Sequence, residues 1–325
     1  MRFGRLSLLS NQPAPITKEP MKKLLLSLLL TATTVMAAPS VTVVVPFPPG
    51  GFVDAFGRNI ARYLSANLQQ EFVVVNRSGA DGRIGMDYVA QQPADGSHIL
   101  IGSTGVTLFN RVLYSRLNYD YTVFDNMVPM VRTPIMFAVS TKLPVTNFAE
   151  FSKMARGNKL NCAGSSASSV FVGKYMFKQL ALNDIQFVPF KGSNDMIPQL
   201  ISGNIDCAFE TNLVITPLAQ DRKIRVLASG GQYKSSDQVL FSDIMPGLTF
   251  YNWSGVSILK NVPTAEKDRI FSALRNAARD PVYRNTMTAL GLEIVENPTM
   301  GEAWLNSEYQ RYETIRQQLG INRLD

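Results

Sequence analysis

The residues best suited to chemistry in this chain are glycines and hydroxyl side chains that follow short apolar stretches. Thr42–Val45 is a β-branched run, three prolines end it, and Gly50-Gly51 precedes apolar residues that recur every four positions. This pattern predicts a strand, a turn and a helix. Backbone N–H groups of a Gly-Gly turn at a helix N-terminus can approach an anion closely, and the helix dipole favours negative charge. A carboxylate or phosphate would fit there, whereas a Gly-Gly turn taken alone is more often an ordinary strand-to-helix connection.

Hydroxyl side chains follow two further predicted strands. Ser103 and Thr104 come directly after the predicted strand His98–Gly102. After the predicted strand Lys159–Ala163, a polar loop opens a predicted helix over 170–182 and contains Ser165, Ser166, Ser168 and Ser169. Hydroxyls are good neutral donors to a carboxylate, and the second loop repeats the strand, turn and helix pattern of the first. The alternatives are a helix cap at the first position and an ordinary turn at the second.

Composition and charge narrow the class of protein. The chain has 325 residues, of which 46% are hydrophobic and 18% charged, so it can bury a full core and its length favours two domains. Lys and Arg exceed Asp and Glu by seven, but five of these basic residues and one acidic residue precede Ala38. No dense basic run with interleaved aromatic residues remains after that point. Nucleic acid is therefore not an expected partner.

The N-terminal residues have the pattern of an export signal. Lys22-Lys23 precedes the apolar run Leu24–Leu30 and the small-residue stretch Thr31–Ala38, which predicts cleavage after Ala37 or Ala38. We read Met21 as the start and residues 1–20 as an upstream extension; a long charged region is the alternative. An uncleaved membrane anchor is disfavoured because the apolar run is too short to span a bilayer comfortably. The mature protein is predicted to begin near Ala38 and to act outside the cytoplasm.

Cysteine and histidine are too few for most metal sites. Cys162 and Cys207 both lie in predicted strands, and an exported protein with two cysteines has either one disulfide or two buried thiols. The alternatives stay open because parallel neighbouring strands bring the α-carbons close but orient the side chains poorly. A single histidine, His98, excludes a multi-histidine metal site and disfavours a Ser-His-Asp triad. No cofactor or metal is expected.

Strands and helices alternate along the predicted mature chain, and the alternation runs twice. The pattern restarts after two extended stretches, Met127–Val131 and Ile135–Thr141. Such alternation predicts parallel sheet with right-handed crossovers, so the fold class is α/β. Extended connections near 135–142 and 248–258 suggest two lobes joined by a two-stranded hinge. Ligands of open α/β sheets bind beyond the carboxyl ends of the strands, where the turns described above should converge.

Several motifs together resemble one family. They are Val45-Pro46-Phe47-Pro48-Pro49-Gly50-Gly51 with Asp54 and Arg58, Val75-Asn76-Arg77-x-Gly79-Ala80-x-Gly82-x-x-Gly85, Asp95-Gly96, Val188-Pro189-Phe190-Lys191-Gly192 and Trp253-x-Gly255. This combination resembles the tripartite tricarboxylate transporter receptors, the Bug-type extracytoplasmic binding proteins, over nearly the whole mature chain. The resemblance implies a type II periplasmic-binding-protein fold, in which two mixed or parallel sheets with flanking helices form two lobes joined by a two-stranded hinge. We expect 38–138 and 253–325 to form lobe 1, 139–252 to form lobe 2, and 1–37 to be the extension and signal peptide.

The resemblance also implies roles for single residues. Phe47, Gly50, Gly51 and Asp54 correspond to the family's loop that holds ligand and water in the first lobe, and Ser103-Thr104 to its second contact. The opposing lobe would contribute the loop Ser165–Ser169, and Asp206 corresponds to an acidic position in the strand after Gly203-Asn204.

The chain departs from the family pattern at two places. Ala94–Ile99 replaces Pro-Asp-Gly-Tyr-Thr-Leu, and Phe171-Val172 stands where the family usually has His-Leu. The pocket in lobe 2 is therefore expected to be more apolar than usual, and the identity of the ligand stays open.

From this resemblance we expect a monomeric periplasmic receptor that closes around a small organic carboxylate and delivers it to the membrane permease subunits of a tripartite carrier. The alternatives are an exported enzyme that acts on a small carboxylate and a carboxylate sensor without transport. No Gly-x-Ser-x-Gly sequence is present, and His98 alone offers little for general base catalysis, so the chain is not expected to be an enzyme.

Overall fold

The computed structural model describes residues 39–125, 127–190, 192–231, 238–246, 249–296 and 302–324. The predicted extension and signal peptide and Lys191 lie outside the described residues. The strands are β1 Val41–Val45, β2 Phe72–Asn76, β3 His98–Ser103, β4 Val128–Ser140, β5 Leu160–Gly164, β6 Ile185–Val188, β7 Cys207–Thr211, β8 Ile224–Ser229, β9 Val239–Leu240, β10 Tyr251–Ser257 and β11 Glu293–Ile294. The helices are α1 Phe52–Leu68, α2 Arg83–Ala90, α3 Asn110–Leu113, α4 Phe148–Ala155, α5 Ala167–Gln179, α6 Ser193–Ser202, α7 Asn212–Gln220, α8 Phe241–Ile244, α9 Thr264–Ala277, α10 Pro281–Ala289 and α11 Glu302–Leu319.

The first half of the sheet is organised around β1. This strand pairs in parallel with β2 on one side and β3 on the other. Its β-branched residues are almost wholly buried because helices cover both faces of a parallel sheet. Phe56, Ile60 and Leu64 recur every fourth residue along α1 and are fully buried against it. The turn at Gly50-Gly51 therefore connects the buried strand β1 to the buried face of helix α1, as the sequence predicted.

The long strand β4 belongs to both halves of the sheet. Residues 128–134 pair antiparallel with β10, and residues 135–140 pair antiparallel with β7 and β8. The strand order is β2-β1-β3-β10-β4-β7-β5-β6, with β5 parallel to both β6 and β7. The sequence predicted two separate extended stretches here, and the structure has one strand instead. Neighbouring strands accept and donate backbone hydrogen bonds to β4 on both sides of Arg132-Thr133. The strand therefore continues through these polar residues.

Aromatic side chains fill the core of the second half. The Phe137 ring lies 4.8 Å from the rings of Phe151 and Phe209, measured between centroids. The C-terminal helix α11 places Tyr312 4.9 Å from Phe109 and 5.8 Å from Phe171. Phe109 follows β3, whereas Phe171 lies on α5, so this helix packs against elements that are far apart in sequence.

A disulfide joins two neighbouring strands of this half. Cys162 of β5 and Cys207 of β7 are directly paired in the parallel register, their Cα atoms are 4.5 Å apart, and their sulfur atoms are bonded. Both residues are fully buried. The sequence left open whether these cysteines form a disulfide or remain two buried thiols, and the structure has the disulfide. Within the described ranges, no helix combines the length and apolar character needed to cross a membrane.

Candidate functional site

The turn after β1 is held in place by the buried carboxylate of Asp54. Its Oδ2 accepts hydrogen bonds from the Gly50 backbone N–H and from Arg58 Nε, both at 2.9 Å, and its Oδ1 accepts one from Asn76 Nδ2 at 2.9 Å. Burial raises the pKa of this carboxyl, but hydrogen bonds from Arg58, Gly50 and Asn76 outweigh that effect and hold the pKa below its ordinary value. Asp54 therefore shapes the loop, and its oxygens are already engaged by protein donors.

The two glycines of this turn leave their surroundings open. A Cβ atom at Gly50 or Gly51 would meet no heavy atom within 4 Å. Gly50 has a φ of +89°, a left-handed conformation that favours glycine, whereas Gly51 has a φ of −83° and begins α1 as its N-cap. The turn at the start of α1 is therefore not covered by other side chains at these two positions. Unpaired N–H groups at a helix N-terminus of this kind can bind an anion.

Phe47 connects this turn with the hydroxyls after β3. Its carbonyl oxygen accepts a hydrogen bond of 3.0 Å from Asn76 Nδ2. A Cβ atom placed on Gly105 would lie 3.8 Å from the Phe47 ring and 3.7 Å from Ser103 Oγ. The structure thus places Phe47 and Ser103 near each other, beyond the carboxyl ends of β1 and β3.

Thr104 is attached to strand β10. Its Oγ1 accepts a hydrogen bond of 2.8 Å from the Trp253 backbone N–H, and both residues are buried. The neighbouring Ser254 donates to the Gly102 carbonyl at 2.7 Å. The end of β3 is therefore fixed against the strand that returns from the second half of the chain.

The serine-rich loop caps helix α5 and also reaches β10. Ser166 is the N-cap, and its Oγ accepts from the Ser169 N–H at 3.2 Å and lies 2.9 Å from both Ser168 Oγ and Ser169 Oγ. Ser168 Oγ donates to Asn252 Oδ1 at 3.1 Å. Ser165 is half-buried beside them. Because Asn252 and Trp253 are consecutive, the loops from the two halves of the sheet are held next to each other on β10.

Asp206 does not lie with these residues, which corrects the expectation drawn from the resemblance. It precedes β7, and its Oδ2 accepts a hydrogen bond of 2.7 Å from the Asn161 N–H at the start of β5. Because β5 and β7 are parallel, this is the amino end of both strands, whereas the serine-rich loop follows the carboxyl end of β5. Asp206 lies about 13 Å along β7 from Glu210. Its carboxylate ties the two strands together and is remote from the candidate site.

Sequence reasoning missed Glu210 and Asn252. Glu210 is 3% exposed near the carboxyl end of β7, where its carboxylate accepts from Ser193 Oγ at 2.7 Å and from the Thr211 N–H at 2.6 Å. Glu210 could have been found from its position at the end of an apolar strand. Ser103 was identified as a candidate from the same kind of position. Nothing in the sequence around Asn252 indicated a contact with Ser168.

Hydroxyls and backbone amides, rather than cations, dominate this arrangement. Such donors can bind a carboxylate, as hydrogen bonds to a charged acceptor are stronger than those between neutral groups. Across the described ranges, no group of three or more His, Cys, Asp or Glu side chains could hold a metal ion.

Comparison with known proteins identifies the family. The sequence model of the tripartite tricarboxylate transporter family receptor matches residues 56–321. The chain belongs to this family. It is 28% identical to a UPF0065 protein encoded between tcbD and tcbE in Pseudomonas sp. strain P51, over 87% of each chain.

Solved structures of relatives share the fold. The R. palustris protein Rpa4515, solved with adipate, has 28% identity and a TM-score of 0.79, covering 88% of this chain and 98% of its own. The periplasmic binding protein BugD has 23% identity and a TM-score of 0.76, covering 88% of this chain and 99% of its own. The α/β fold expected from the sequence, that of the periplasmic binding proteins, is confirmed.

Proposed function

We propose that this receptor-family chain is an extracytoplasmic solute receptor that binds a small organic carboxylate and delivers it to the permease subunits of a tripartite tricarboxylate-type carrier. The observation that carries the proposal is the meeting of two loops on β10. Thr104 is hydrogen-bonded to Trp253 and Ser168 to Asn252, so the loops that follow β3 and β5 are both held on β10. Phe47, which belongs to the turn at Gly50-Gly51, lies near Ser103 at the end of β3. The adipate bound to the 28% identical Rpa4515 supports a carboxylate ligand.

We place the ligand between two lobes, 38–138 with 253–325 and 139–252. Strand β4 runs from one sheet half to the other, and the Phe250 carbonyl beside β10 accepts from the Ile135 N–H at 3.1 Å, which supports a two-stranded hinge at this point. A carboxylate that contacts both lobes stabilises the closed form only by its greater affinity for that form. Closure would then signal occupancy to the permease.

The decisive experiment is a calorimetric and thermal-shift titration of the exported protein with adipate and a panel of small mono-, di- and tricarboxylates. A ligand that binds only the native state raises the melting temperature as its occupancy grows. The site variant is Gly51→Val. Its φ is allowed for valine and its side chain enters open space, so it should fold normally and obstruct the turn. Gly157→Val is the matched control because Gly157 also has open surroundings.

We expect saturable binding of at least one carboxylate by wild type and Gly157→Val, and loss of that binding in Gly51→Val. Recovery of the ligand unchanged is the result expected of a receptor, whereas its chemical conversion would favour the exported-enzyme alternative. If no acid in the panel binds, or if Gly51→Val binds as wild type does, the proposed site is wrong.

Export is part of the same proposal. We propose that residues before Ala38 direct the chain across the cytoplasmic membrane and are removed. Intact mass measurement of the protein recovered from the periplasm should show an N-terminus at Ala38 or Pro39. A mass that retains Lys22-Lys23 would contradict this processing.

A further inference from the structure

A second pocket shares no lining residue with the candidate site. It is bounded by the chain after β3, by residues 121–125 and 127, by the end of β10 and by α11, and its volume is about 70 Å³. The polar groups that line it include Thr107, Arg111, Ser257, Lys260 and Asn306. A space of this size holds about two water molecules or one small oxyanion, and it is far smaller than the pockets of larger metabolites.

Arg111 is held at this pocket by stacking rather than by an acid. Its guanidinium carbon lies 4.0 Å from the ring centroid of Tyr121 and 4.5 Å from that of Tyr309. Its hydrogen bond to Asn306 Oδ1 is long, at 3.4 Å, and among the described residues Arg111 forms no ion pair. Stacking between two rings fixes the guanidinium plane and leaves N–H groups at its edge for another acceptor.

Ser257 and Lys260 add two donors to the same pocket. Ser257 is only 2% exposed, yet its hydroxyl has no hydrogen-bond partner in the part of the chain that the structure describes. Because Ser257 lines the pocket, its hydroxyl can donate a hydrogen bond to an acceptor bound there. Lys260 is exposed at the rim without an acid partner among the same residues. The acid that lines the pocket, Asp125, forms an ion pair with Lys267 at 2.8 Å.

We propose that this pocket is a second, separate binding site for a small oxyanion. Arg111 and Lys260 supply the charged donors and Ser257 the neutral donor. The small volume of the pocket and the stacked Arg111 guanidinium favour a compact anion such as phosphate. The extended carboxylate proposed for the site at Gly50-Gly51 would not fit as well. The proposal is independent of the identity of that carboxylate.

The test is a calorimetric titration of the full chain with inorganic phosphate at constant ionic strength, with sodium chloride as the reference and acetate as a planar anion. Arg111→Gln removes the stacked cation, and Ser257→Ala removes the buried donor. Lys260→Gln changes an exposed side chain and therefore leaves the fold intact. Arg275→Gln is the matched control, because it removes an exposed arginine that, among the residues the structure describes, donates only to Ser272 Oγ.

We expect saturable phosphate binding that is weakened about tenfold or more by Arg111→Gln and Lys260→Gln, since each loses a charge-assisted hydrogen bond. Ser257→Ala should weaken it several-fold, whereas Arg275→Gln and Gly51→Val should bind phosphate as wild type does. Tighter acetate binding would still support an oxyanion site, with a planar ligand. The proposal is overturned if phosphate gives no saturable heat beyond the chloride reference, if Lys260→Gln and Ser257→Ala both bind normally, or if Gly51→Val abolishes phosphate binding.

Discussion

Replacement of Asp54 by asparagine tests whether this carboxylate shapes the loop at Gly50-Gly51. In the better of its two orientations, the introduced amide keeps its oxygen toward Gly50 and Arg58 and turns its NH₂ group toward Asn76 Nδ2, which is also a donor. One buried hydrogen bond to a charged acceptor is lost, at about 1.5–3 kcal/mol. The Arg58 side chain is 44% exposed, so the loss of its ion pair adds only about 0.5 kcal/mol. We expect the free energy of unfolding to fall by about 2–3 kcal/mol.

Rearrangement of Asn76 should not rescue the variant. If its amide turns to offer Oδ1 to the new NH₂ group, it gives up its hydrogen bonds with the Phe47 carbonyl and with Arg58. Guanidinium unfolding curves analysed by linear extrapolation measure the effect. Arg58→Gln is the control, with an expected loss of about 0.5–1 kcal/mol because it removes only the exposed partner. Equal losses in the two variants, or an unchanged Asp54→Asn, would refute this account of the loop.

Three further changes test the fold. Reduction of the Cys162–Cys207 disulfide should lower the free energy of unfolding by about 2–4 kcal/mol, because the bridge closes a loop of 45 residues; unfolding curves with and without dithiothreitol measure it. Gly255→Ala should cost about 3 kcal/mol in the same assay, because its Cβ would overlap the Val128 carbonyl oxygen, and Gly157→Ala should be nearly neutral. Hydrogen bonding from Arg316 lowers the pKa of Glu313 to about 2, from an ordinary 4.5. Glu313 therefore contributes stability above about pH 4.5 that is lost as the pH falls toward 2, and Glu313→Gln should flatten that part of the pH profile of stability.

The elements that carry the first turn could be predicted because their signals are local. The strand, turn and helix predicted here agree with the structure within a residue or two. Their signals were the β-branched run of β1, the Gly50-Gly51 turn and the four-residue spacing of Phe56, Ile60 and Leu64. The start of α10 has equally local signals, since Asp280 accepts a hydrogen bond from the Tyr283 N–H and Pro281 occupies the first turn. In these segments propensity, capping and burial all favour one conformation.

Asp206 shows where a local signal fails. An acidic residue beside a strand is compatible with either end of that strand, and the resemblance from which Asp206 was chosen did not say which end it occupies. The structure has Asp206 before β7 and Glu210 inside it. Boundaries of short strands are the least reliable part of such predictions.

The contact of the loops after β3 and β5 with strand β10 could not be predicted from the sequence, for a different reason. Thr104 and Ser168 are brought together by Asn252 and Trp253, which lie more than eighty residues further along the chain. That contact depends on β10 returning antiparallel between β3 and β4, and therefore on the register of three strands at once. A one-residue slip of β10 would move Asn252 to the opposite face and separate it from Ser168. The bulge between Ser254 and Gly255, where the absence of a side chain lets Val128 approach closely, sets that register. The site therefore depends on a glycine that does not line it.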